Sequence, residues 1–151
     1  MEKNSQHNIR ESIIFFIYQQ QLLNYDLETI IKEIKENEED FNAEIINNLI
    51  HLFEQRKIII KIINKYLKVG WHFSKLSNLE QGILLWATYE LLILKENSAI
   101  IINEAVLITK KYFINTEYKY INGILQSIAD NEKKKTNKDD NYGKWIIEEI
   151  Y

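Results

Sequence analysis

Cysteine is absent from the 151-residue chain, which excludes a disulfide framework and any thiolate metal site. Proline is absent as well, and glycine occurs four times, at Gly70, Gly82, Gly123 and Gly143. A chain with so few breakers favours long helices over hairpin-rich sheet. Long apolar runs are missing too. The longest, residues 82–94, is about a dozen residues with Glu90 inside it, whereas a membrane span needs about 20. It reads as a buried core helix. Residues 1–10 are polar and no small-residue cleavage site follows, so no secretory signal is expected. A soluble, cytoplasmic protein is the expectation.

What is present is ordinary globular material, 46% hydrophobic and 27% charged, enough for one domain with a substantial core. The net charge of −3 argues against broad nonspecific nucleic-acid binding, but the charge is patchy. Residues 25–56 hold nine acids and three bases; residues 57–75 hold five lysines and no acid. Residues 110–138 hold seven lysines against Glu117, Asp130 and Glu132. Such a surface can guide a polyanion to one face, although solvated helix faces also produce charge runs.

Helical periodicity dominates. A first helix is expected over residues 5–23, with Ile9, Ile13, Phe16, Ile17 and Tyr18 as its apolar stripe. Asp26 N-caps a second carrying Leu27, Ile30, Ile31 and Ile34. A long third helix is expected over residues 41–67, stopped at Gly70. A connection with Trp71 and Phe73 leads to Ser77-Asn78-Leu79-Glu80, a capping box opening a fourth helix that runs to about Lys95. Asn97-Ser98 caps a fifth, reaching Tyr112, and Thr116 a sixth with Tyr120, Ile121, Ile124, Leu125 and Ile128. Residues 131–142 read as a polar linker, and residues 144–151 as a short terminal helix docked through Trp145, Ile146 and Ile150. The fold class is therefore all-α: a compact bundle of six to seven helices, residues 1–130, with a 131–151 extension.

Catalytic and metal chemistry finds no support. His7, His51 and His72 lie in unrelated segments without ligand spacing, the glycines make no phosphate cradle, and no serine sits in an elbow motif. Glu90 and Glu104 lie on apolar helices, where a structural role, bonding a helix end or a neighbouring lysine, is more economical than acid–base work. Asn122-Gly123 suggests close helix packing. No catalytic residue, metal or cofactor is expected. What remains is Lys110, Lys111, Tyr112, Phe113, Tyr118, Lys119 and Tyr120. Lysines interleaved with tyrosines suit single-stranded RNA, with phosphates on ammonium groups and bases on rings. Aromatics at helical spacing serve a core equally well, so this pattern leaves both readings open.

Two longer stretches carry a resemblance. Glu80-Gln81-Gly82-Ile83-Leu84-Leu85-Trp86-Ala87-Thr88-Tyr89-Glu90-Leu91 resembles an acid followed by Ile-Leu-Arg-Leu-Ala and Tyr-Glu-Leu. Ile102-Asn103-Glu104-Ala105-Val106, Lys110, and Lys119-Tyr120-Ile121-Asn122-Gly123-Ile124-Leu125 follow in matching order and spacing. Arg10-Glu11 and Tyr18-Gln19 complete a similarity to the NusB family spanning about residues 9–129. The resemblance implies an all-α fold of two small subdomains and a non-enzymatic role in transcription antitermination. That role is to bind boxA-type single-stranded RNA of nascent ribosomal RNA transcripts together with the ribosomal protein NusE, in the RNA polymerase antitermination complex. The resemblance further implies RNA-facing roles for Lys3, Arg10, Tyr18, Lys119 and Tyr120, and partner-facing roles for Glu80, Tyr112 and Lys110. Asn103-Glu104-Ala105 and Asn122-Gly123 are read as structural.

The chain departs from that pattern in places. An arginine-rich N-terminal arm is reduced to Lys3, His7 and Arg10, offset by Glu2. Leu85 stands in place of the family arginine, Asn97 in place of a proline and Phe113 in place of a glycine. Fewer phosphate contacts imply weaker RNA binding by the isolated chain, whether monomer or homodimer, with the partner supplying affinity. The alternative reading is a helical protein–protein adaptor of the same fold with weak or lost RNA binding. An RNA-modifying enzyme, the remaining reading, would need an α/β cofactor domain for which these residues leave no room.

Overall fold

A computed structural model describes residues 6–133, 138–139 and 144–145. Seven α-helices build it: α1 (Gln6–Leu23), α2 (Leu27–Lys35), α3 (Ala43–Glu54), α4 (Arg56–Asn64), α5 (Asn78–Tyr89), α6 (Ser98–Tyr112) and α7 (Glu117–Glu132). A 3₁₀ turn, Phe73–Lys75, precedes α5, and a π turn, Glu90–Leu94, extends it. Among the described residues the only extended pairing is a two-residue antiparallel ladder, β1 (Lys138–Asp139) with β2 (Lys144–Trp145). The first two residues of the expected terminal helix thus pair as strand, and its remainder lies outside the described residues.

Local chemistry sets most helix starts. Asp26, Asn42 and Asn97 each accept a backbone N–H three residues on, at 2.9, 2.8 and 3.1 Å. Ser77 and Glu80 close the reciprocal capping box, with Ser77 N donating to Glu80 Oε1 at 2.9 Å and Glu80 N to Ser77 Oγ at 3.2 Å. Thr116 precedes α7 without a side-chain cap bond.

The long third helix is two helices. The buried face of α3 (Leu49, Leu52, Phe53) and that of α4 (Ile59, Ile62, Ile63) would be offset by about 80° on one continuous helix at 3.6 residues per turn. The break at Gln55 turns both inward. After α4 the chain reverses at Gly70, whose φ of 89° suits glycine alone.

At the centre stands α5, buried from Glu80 to Tyr89 and packed against α1, α3, α4, α6 and α7. One hydrophobic cluster runs through all seven helices. Gly82 permits the tightest crossing: a Cβ there would meet the backbone of α1 at Ile14 O, 3.1 Å, and Tyr18 N, 3.2 Å. Gly123 does the opposite, since a Cβ there meets nothing within 4 Å. Close packing is therefore not the reason for Gly123. Ile9, placed on the apolar stripe by periodicity, is 40% exposed.

Candidate nucleic-acid interface

The capping box that starts α5 also orients a residue of α7. Glu80 is buried; one carboxylate oxygen accepts Ser77 N and the other accepts the Tyr120 hydroxyl. Burial first, then the Glu80 carboxylate, push the Tyr120 phenol far above its ordinary value. Tyr120 is thus a neutral donor with a fixed ring. Glu80, expected on a partner-facing surface, is instead consumed inside the fold as the anchor of that ring.

One residue earlier on the helix, Lys119 is exposed. It lies with Tyr118, Asn122 and Gln126 of α7 and with Asn103 and Lys110 of α6 along an open groove of about 480 Å³. The Lys110 ammonium sits 4.7 Å from the Tyr118 ring centroid. Lysines and an aromatic face therefore share one groove, with side-chain amides beside them.

A second aromatic group joins α1 to the end of α6. The Phe15 ring meets Tyr112 edge-on at 5.0 Å and Tyr18 at 6.0 Å. Glu11 ties this group down, accepting from the Tyr112 hydroxyl and from Lys111 Nζ at 3.1 Å. Burial would raise the Glu11 carboxyl, but the Tyr112 and Lys111 donors outweigh it and hold it below the usual range. Tyr18 is half-buried and Tyr112 exposed.

Arg10 requires a correction. It is buried at 8% exposure, and its guanidinium forks onto Glu90, Nη2 to Oε2 at 2.8 Å and Nε to Oε1 at 2.9 Å. Glu104 lies 3.4 Å from Nη1 and also bonds His7. The fork of this guanidinium is thus taken up by carboxylates inside the fold. Glu90 and Glu104, expected to bond a helix end or a neighbouring lysine, instead share an arginine of α1. Desolvation alone would lower the arginine, yet the paired carboxylates keep it raised, while burial outweighs the arginine at Glu90 and raises that carboxyl. Lys3 lies outside the described residues.

Sequence reasoning did not assign one feature to a site. A cavity of about 390 Å³ opens on the other flank of α7, lined by Tyr66, Lys68, Trp71, Tyr120, Gly123 and Ile124 among others. Its signal was present in the acid-free, five-lysine stretch of residues 57–75, which holds both Tyr66 and Trp71. Among the described residues no three His, Cys, Asp or Glu side chains gather as a metal site, and no helix is long and apolar enough to cross a membrane.

Comparison with known proteins gives consistent findings. The family model described as NusB family matches residues 7–130. A transcription antitermination protein NusB of Fervidobacterium nodosum is 33% identical over 131 residues, 84% of this chain and 92% of that protein. The NusB of Nitratiruptor sp. is 30% identical over 140 residues, covering 89% of this chain and 98% of its own length. Among solved structures, NusB of T. maritima superposes with a TM-score of 0.70 at 28% identity, covering 87% of this chain and 94% of that one. A chain from a crystal structure of a plectonemic RNA supercoil superposes with a TM-score of 0.66 at 25% identity, covering 83% and 96%.

Proposed function

Because the chain belongs to the NusB family, we propose that it acts as a transcription antitermination factor, binding boxA-type RNA of nascent ribosomal RNA transcripts together with the ribosomal protein NusE. The observation that carries the RNA part is the α6–α7 groove, where exposed Lys119 and Lys110 flank the Tyr118 ring. Lysine ammonium groups take phosphates as point charges, and an aromatic face accepts a base of any sequence, each stacked base contributing roughly 1–3 kcal/mol. The pinned Tyr120 ring borders the same helix. Tyr18 and Tyr112 stand apart on the α1–α6 face, where their exposed edges and the Glu11–Lys111 pair suit a protein partner or the end of an RNA strand.

The proposed role is non-catalytic and performed in the cytoplasm, alongside RNA polymerase. With Arg10 buried, phosphate contact falls mainly on lysines of α6 and α7, so RNA affinity of the isolated chain is modest and rises when NusE is present. Polarisation of a fluorescein-labelled, single-stranded boxA-like RNA, titrated with the chain alone and with NusE, tests this. Tighter RNA binding in the presence of NusE is expected. Unimpaired NusE binding with no ternary RNA complex would overturn it in favour of a protein–protein adaptor that has lost RNA binding.

A further inference from the structure

We propose that the cavity between the α4–α5 connection and α7 is a second RNA subsite, a pocket for one unstacked nucleobase, so that the strand crosses the N-terminal half of α7 from one flank to the other. The proposal rests on the RNA-binding reading above and adds a site to it.

Residues 118 and 120 stand about 200° apart around α7, so Tyr118 and Tyr120 occupy opposite flanks with Lys119 between them. Tyr118 and Lys119 line the α6–α7 groove; Tyr120 lines the 390 Å³ cavity. That volume lies within the range of small-ligand pockets. Three aromatic side chains, Tyr66, Trp71 and Tyr120, surround it, and no acid is among its lining residues. Two hydroxyls are already committed to carboxylates, Tyr66 to Glu132 and Tyr120 to Glu80, which leaves both rings neutral and fixed in orientation. Trp71 is 52% exposed, held out beyond the Gly70 turn. An indole left this open is what a stacking partner covers.

The helix side of the cavity is bare for a specific reason. Gly123 lines it, and a Cβ there would meet open space. The absent side chain serves the cavity rather than a helix contact. Charge favours an anionic strand over an apolar peptide: Lys68 lines the cavity, and Lys57 and Lys75 are exposed on the same acid-free stretch.

Gly123→Leu fills the cavity from a helical position where leucine is a better helix former than glycine. With the single-stranded boxA-like RNA as probe, Gly123→Leu and Trp71→Ala are each expected to weaken binding roughly 5- to 150-fold, the range one stacked base supplies, with an unchanged salt slope. Lys119→Ala weakens binding and also flattens the slope by about 0.7, as one lost phosphate contact does on a single strand. Unchanged affinity in both cavity variants, or loss of NusE binding with RNA affinity intact, overturns the pocket while Lys119→Ala still reports the groove. If wild type binds no RNA at all, the underlying RNA reading fails and the subsite fails with it. Trp71 is exposed, so Trp71→Ala keeps the test valid should Gly123→Leu fold poorly.

Discussion

Arg10 and Glu90 show how a residue's role depends on burial more than on type. Both charges are nearly out of water, and each offsets the other's desolvation through a forked pair. Arg10→Ala would leave the Glu90 carboxylate buried without its guanidinium. Urea unfolding of that variant should show a loss of about 3–5 kcal/mol, the usual cost of breaking a buried pair from one side. Arg10→Lys should recover only part, because an ammonium cannot fork. Little of this was legible in the sequence, where the partner lies 80 positions away and an arginine ahead of an apolar stripe looks like a surface cation. The Glu11 cluster gives a pH prediction. Its folded-state carboxyl is depressed, so its contribution is present above the unfolded-state value and is lost as pH falls through the lower folded value. Tyr112→Phe removes one donor, and the acid-unfolding midpoint followed by circular dichroism should move to higher pH.

Helix starts were the most legible elements, because a cap is decided within four residues. Asp26, Asn97 and the Ser77–Glu80 box needed no knowledge of the rest of the chain. Helix interiors were less legible. No breaker marks the turn at Gln55, and only the buried faces of α3 and α4 reveal why one helix would not do. The π turn Glu90–Leu94 was equally silent; it ends at Lys95 in the left-handed region, φ 53°, and brings Glu96 N to Glu90 O at 3.3 Å. The two helical glycines make the clearest contrast. Gly82→Ala pushes a methyl into the α1 backbone, which has no rotamer to give, and should cost about 1–3 kcal/mol. Gly123→Ala meets nothing and should stabilise by about 0.5–1 kcal/mol through helix propensity and lost unfolded-state freedom. Opposite shifts in thermal midpoint are the expected result; a penalty at Gly123 would mean that the helix face is packed after all.

Over the whole molecule, the acids of residues 25–56 fall on α2, α3 and the turns beside them, while the lysines of residues 57–75 fall on α4 and the connection after it, and Lys110, Lys111 and Lys119 fall on the α6–α7 pair. This separation was legible as charge counts along the chain. What the counts could not show is that Lys110, Lys119 and Tyr118 line one groove, with the Lys110 ammonium over the Tyr118 ring. The net charge of −3 then has a kinetic meaning. On the proposed interface, an anionic strand would be repelled by one part of the surface and drawn to another, so the acidic region would contribute to orientation during approach without contacting the strand. Replacing the exposed Glu38 and Glu39 by lysine adds attraction outside the groove. At low salt the association rate for boxA-like RNA should rise. At ionic strengths where the Debye length falls to a few ångströms, the gain should vanish. The dissociation rate should be unchanged throughout, because no contact in the bound state has been altered. Stopped-flow mixing across a salt series separates the two rates. A slower dissociation in the double variant would place RNA against α2–α3 and move the interface away from α7.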